Sequence, residues 1–275
     1  MMVRKLLRTL VEGYVDAQDL MSATASISIN EKVTQTTCWR AFAPKTDDEL
    51  ILSLVTQVVE KPLFTLKSHI EDVELRFQIE DRLGIVGVLK KGEVVAACPF
   101  VRTGLEQEME ILDIVSGPSQ LEGWVHVRGH GLEFSFYDVL HALMQYEVGE
   151  RRLFVLNAFA LSLKRVPKSA VDETEMGFCS NGIRSYIPKT GKRAGEGIFQ
   201  SPVEGEPSIT RFDGREMTLL PIGLKETENQ SATIDLAVAA DISQCFDDAI
   251  QPGEDIAGLL WLHGYCPNLL QKRPD

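Results

Sequence analysis

The chain lacks any cysteine pattern. Its five cysteines, at 38, 98, 179, 245 and 266, are odd in number, and no two lie within twenty residues of each other. That spacing excludes a CxxC metal knuckle and supplies no disulfide framework. Small buried thiols in a reducing compartment are the expectation, with Cys179, in a polar stretch, the most exposed. The chain also lacks a long hydrophobic run: no stretch approaches the roughly eighteen apolar residues of a membrane span. The residues after Met1 are broken by Arg8, Glu12 and Asp16, unlike a secretory leader. No membrane and a cytoplasmic location are therefore expected.

Positive charge is short as well. Against 40 acidic side chains stand 28 basic ones, a net of −12. A field of that sign repels phosphate backbones, so nucleic acid is not an expected partner. A protein partner or a small ligand fits better, a basic or cationic one best. Catalytic signatures are missing too. There is no G-x-S-x-G nucleophile elbow. The stretch from Pro188 to Gly195 is no P-loop, because Arg193 stands where Ser or Thr would follow Gly191-Lys192.

What is present is globular: 44% hydrophobic and 25% charged residues over 275 positions, one large domain or two modest ones. Val3, Leu6, Leu7, Leu10 and Tyr14 recur at steps of three and four, predicting an amphipathic helix over 3–21. Short strands are expected at Ile27 to Ile29 and around Cys38–Phe42. A helix is expected from Asp47 to Lys61, with Thr46 and Glu49 as a capping box and Pro62 at its end. Beyond it strands dominate. Val73, Leu75, Phe77 and Ile79 alternate with charged or polar residues, and Leu83–Leu89 and Val94–Val101 flank Lys90-Lys91-Gly92-Glu93 as a hairpin.

The cluster Ser116-Gly117-Pro118-Ser119 divides the chain, giving regions 1–117 and 118–275 that share one compact unit or stand apart. The second region predicts strands at Leu121–Arg128, Leu132–Tyr137 and Leu153–Leu163, with a short helix from Asp138 through Tyr146 between the last two. Leu153–Leu163 is apolar on both faces, as in a central strand, and Asn157 in its middle must find hydrogen-bond partners. A polar loop over 167–198 is followed by further strands. The fold class expected is α+β: antiparallel and β-rich, with a helix-containing N-terminal half. The C-terminal half is barrel- or sandwich-like, with one inserted helix.

Two segments echo each other. Trp124, His126 and Arg128 share one strand face, and Trp261, His263 and Tyr265 share another. If the faces meet, they make a concave platform able to stack a sugar, a base or a cation. The bland alternative is a barrel packed with tryptophan. A zinc site from His126, His130, His141 and Asp138 matches no ligand spacing, so no metal is expected. The segment 164–193 is locally basic, and Lys189, Lys192 and Arg193 flank glycine as a candidate anion loop.

The leading expectation is a binding or interaction protein that uses the aromatic–histidine concavity or the basic loop, self-associating through the 3–21 helix. The first alternative is a hydrolase or metal-assisted enzyme centred on Trp124, His126, His130 and His263. The second is an acidic inhibitor or immunity-type protein for a basic partner.

Overall fold

The computed structural model describes residues 36–43, 48–117, 119–166, 182–189, 195–227, 230–243, 246 and 248–269. The expected helix at 3–21, the segment Ile27 to Ile29, Thr46, Cys179, Lys192 and Arg193 lie outside them.

Helix α1 (Thr36–Phe42) stands where a strand is expected around Cys38–Phe42. Thr36, Thr37 and Trp39 favour strand locally. Cys38, Trp39, Ala41 and Phe42, however, fall at helical spacing, and all four are buried. Burial of that face outweighs propensity differences of under about 1 kcal/mol per residue. Helix α2 (Asp48–Glu60) buries Ile51, Leu54, Val55, Val58 and Val59, again at steps of three and four, and ends before Pro62 as expected. No helix among the described residues is long and apolar enough to cross a membrane.

Four strands then form an antiparallel meander: β1 (Phe64–Lys67), β2 (Val73–Glu80), β3 (Leu83–Lys90) and β4 (Glu93–Val101). The β3–β4 hairpin turns on Lys91 at φ 54° and Gly92 at φ 81°. Two successive positive φ angles make the turn whose twist matches the flanking strands. Val73, Leu75 and Phe77 point from β2 into the core, with α2 packed over the sheet.

The remaining ten strands belong to one sheet. They are β5 (Glu106–Ser116), β6 (Gly123–Gly129), β7 (Leu132–Asp138), β8 (Arg151–Arg165) and β9 (Ser185–Pro188), then β10 (Glu196–Pro202), β11 (Ser208–Phe212), β12 (Arg215–Thr227), β13 (Gln230–Ala239) and β14 (Asp255–Tyr265). Successive pairings run β5–β6–β7–β14–β8 and return to β5, a closed ring with one parallel pair, β7 with β14. A second circuit runs β8–β13–β12, crosses the single bridge Val203–Ile222 beside β10, and returns through β14. The two longest shared walls, β8 and β14, therefore serve both rings. The fold is β-rich α+β with a barrel-like C-terminal half.

The change of sheet falls between β4 and β5. Two details differ from expectation. Strand β9 and the start of β10 lie in the stretch read as a polar loop, where alternation is too short to register. The helix expected from Asp138 to Tyr146 reduces to a 3-10 turn at His141–Leu143. Asp138 Oδ1 accepts the Leu140 N–H at 3.1 Å, but Leu140 is itself the N-cap of that turn, which has no side-chain cap bond. Val139, Leu140 and Ala142 are all buried.

Two apolar cores result. One lies between the meander, α1, α2 and one face of β8, β12, β13 and β14. The other fills the opposite face, inside the rings, around Val127, Phe134, Phe136, Phe154, Leu236 and Leu262. A polar pin joins the meander to the rings. His263 and Asn157, cross-strand neighbours on β14 and β8, hold the backbone of Val101 at the end of β4. The Val101 N–H donates to His263 Nε2 at 2.9 Å, and Asn157 Nδ2 donates to the Val101 carbonyl at 3.0 Å. The Tyr265 hydroxyl donates to the neighbouring Arg102 carbonyl.

Candidate functional site

The two Trp-x-His segments do meet, but inside the protein. Trp124 packs edge-on against Tyr137 with centroids 5.8 Å apart, and Tyr137 lies 5.6 Å from Trp261. Trp261, His263 and Phe159 stack on one another. Trp124, Trp261, His263 and Tyr265 are all buried, His263 completely. The expected platform open to solvent is therefore replaced by a sealed aromatic ladder under the meander. Strand alternation correctly places these side chains on common faces; it carries no information about the sheet that covers them. His263 is pushed down to about 3 by burial, so its imidazole is neutral and its Nε2 is free to accept from Val101.

His126 and Arg128 diverge from that ladder at the far end of β6. His126 Nε2 lies 3.1 Å from Glu133 Oε1 and its Nδ1 lies 3.0 Å from Ser135 Oγ. Arg128 pairs with Glu133 at 3.1 Å and approaches Glu110 at 3.8 Å. Hydrogen bonds from His126 and Arg128 hold the Glu133 carboxyl below its ordinary range. His130 sits in the β6–β7 turn at φ 49°. The residues of the hydrolase alternative thus spread between a buried pin, an exposed ion-paired face and a turn. Among the described residues no group of three or more His, Cys, Asp or Glu side chains is placed to hold a metal ion.

One arrangement was not foreseen. Ser116 Oγ lies 3.4 Å from His141 Nε2, and His141 Nδ1 lies 3.9 Å from Asp138 Oδ2. That is the atom order of a nucleophile, base and acid. The chemistry is weak, however. Asp138 Oδ2 already accepts the Tyr146 hydroxyl at 2.8 Å. Burial pushes Asp138 up to about 7 and His141 down to about 4, leaving the carboxyl only partly ionised at neutral pH and the imidazole a poor base. None of the three cavities discussed below is lined by these residues. The imidazole is instead a packing element: a Cβ on Gly123 would lie 2.5 Å from its Cε1, so glycine is needed for the ring to seat.

Among the described residues, three basic side chains of the segment face the protein's own carboxylates. Arg165 faces Asp248 and Glu254, Arg184 pairs with Glu204, and Lys189 pairs with Glu196 at 2.7 Å. Lys189 is thus engaged, while Lys192 and Arg193 of the expected anion loop fall outside the described residues. On the adjoining face Ile187, Ile198 and Leu259 line up across β9, β10 and β14 and are exposed. Pro188 lacks an N–H, which blunts β9 as an edge for strand addition.

A concavity with an apolar floor lies elsewhere. Register places Ile209, Thr218 and Val238 in one row across β11, β12 and β13. With Leu220 they form the floor of a cavity of about 550 Å³, walled by Phe246, Ala249 and Ile250 and edged by Glu206, Asp248 and Gln251. Arg165 at the end of β8 fixes the wall. Its Nη2 donates to the Asp248 and Ala249 carbonyls at 2.9 and 3.0 Å, and its guanidinium lies 5.3 Å over the Phe246 ring. Leu220 and Val238 are fully buried ring residues, so the floor belongs to the rigid sheet. Of the other cavities, one of about 480 Å³ is formed by the β1–β2 turn and the Lys91-Gly92 hairpin, and one of about 250 Å³ lies beside Phe42 and Met217.

The 550 Å³ cavity went unforeseen because its residues are ordinary strand residues separately; register and the distant 246–251 wall bring them together. Compared with protein-family models, with curated proteins and with solved structures, the chain matches none, so the geometry alone carries the functional reading.

Proposed function

We propose that this is a binding protein that takes a small, largely apolar molecule into the cavity between β11–β13 and the 246–251 wall. The observation that carries this reading is the cavity itself. Its volume of about 550 Å³ lies within the roughly 300–1,000 Å³ of small-molecule sites. Its apolar floor and few polar edge groups have the composition such sites use to gain burial energy and orientation. At about 25 cal/mol per Å² of apolar surface removed from water, covering the floor is the main favourable term available to a ligand.

The test is a half-exposed floor position that can be filled without touching the core. Thr218→Trp on β12 places an indole in the cavity and suits a strand. A neutral solvatochromic dye such as Nile red brightens with the native protein and stays dark with the variant, both melting at similar temperatures. Equal dye binding by the two proteins removes the reading.

A further inference from the structure

We infer that the cavity favours molecules with a cationic end, of the alkylammonium class, an inference that rests on the cavity being the binding site. The charges around it are one-sided. Among the described residues the lining contains Glu206 and Asp248 and no Lys, Arg or His. The cation that braces the wall, Arg165, is shared: it lies 3.5 Å from Asp248 Oδ2 and 3.2 Å from Glu254 Oε2. One guanidinium thus serves two carboxylates, and its remaining donors go to backbone carbonyls of the wall. Glu206 makes no ion pair with a described residue. The Asp248 side chain is 79% exposed, so it keeps most of its reach toward the cavity mouth.

A ligand entering this cavity passes its tail over Ile209, Leu220 and Val238 and leaves its head between the two carboxylates. A cationic head is attracted there, a neutral head is indifferent, and an anionic head is repelled both locally and by the net charge of −12. The apolar floor gives affinity and the edge gives discrimination, because a charged edge acts through differences between heads.

Three probes of equal tail length separate the parts: octyltrimethylammonium, octanol and octyl sulfate, each titrated calorimetrically below its micelle concentration into the native full-length protein. The expected order of affinity is cation, then neutral, then anion, with the cation about tenfold tighter than the alcohol at low salt, the size of two partly exposed ion pairs. That preference shrinks as salt rises. In the Glu206→Gln, Asp248→Asn double variant the cation falls to the level of octanol, while octanol is unchanged. If octanol binds as tightly as the cation and Thr218→Trp abolishes both, the charge preference is overturned and the binding site stands. Tightest binding of octyl sulfate overturns the preference too. If no probe binds, or Thr218→Trp leaves binding intact, the site itself is wrong and the preference falls with it.

Discussion

Replacing His263 by Phe separates two effects of one buried hydrogen bond. The new ring keeps the stack on Phe159 and Trp261, at 4.9 and 5.3 Å from the native imidazole, but it cannot accept from Val101. A buried N–H without a partner costs about 1–3 kcal/mol, so at pH 7.5 the variant is less stable by that amount. Acid reverses the comparison. The folded-state value of His263 is lowered from 6.5 to about 3, so its stabilising contribution is complete above pH 6.5 and is lost as pH falls toward 3. At about 1.4 kcal/mol per unit, the native protein loses roughly 3 kcal/mol through this residue between pH 6.5 and 4.5. The variant loses nothing through position 263. His141, also lowered, and Asp138, raised, are present in both proteins and cancel in the difference. Urea unfolding at pH 7.5 and 4.5 therefore shows a gap that closes or changes sign in acid. A gap of constant size at both pH values would refute the assignment of His263 as a buried neutral acceptor.

Other positions give sharp expectations. Trp261→Ala empties the centre of the aromatic ladder and costs about 3–5 kcal/mol, read as a lower urea midpoint; an unchanged midpoint would mean the ring is not packed as described. Gly123→Ala drives a methyl into His141 and costs about 1–3 kcal/mol, and adding His141→Ala recovers part of that loss; no recovery would separate the two residues. Arg165→Met removes the ties to Asp248 and Ala249, so amide hydrogen exchange across 249–251 accelerates while exchange in β8 does not.

Much of the strand pattern is readable from residue order. The alternation of Val73 to Ile79 and the Lys91-Gly92 turn each report a local rule, and both appear where the rule puts them. Asn157 is foreseeable in part: an amide in a two-sided apolar strand needs partners, and its Nδ2 donates to Val101 while its Oδ1 has none among the described residues. Failures arise where a local rule meets a distant partner. The strand propensity of Thr36 and Thr37 yields to the burial of Cys38, Trp39, Ala41 and Phe42, and β10 depends on pairing with β14, as β9 does on pairing with β10. The same limit governs the site. Period-two alternation groups Trp124 with Arg128 and Trp261 with Tyr265, yet whether those faces are wet is decided by a meander more than twenty residues upstream of β6. The cavity depends on β11–β13 register and on one arginine reaching from β8 to the 246–251 wall, neither of which leaves a motif.

Methyl and indole NMR of the native protein titrated with octanol tests the central claim most directly. Shifts centred on the methyls of Ile209, Leu220, Val238 and Ile250 are expected, with the indole N–H signals of Trp39, Trp124 and Trp261 unmoved. Movement of the Trp124 and Trp261 indoles with the four methyls silent would contradict the account and return the site to the aromatic ladder.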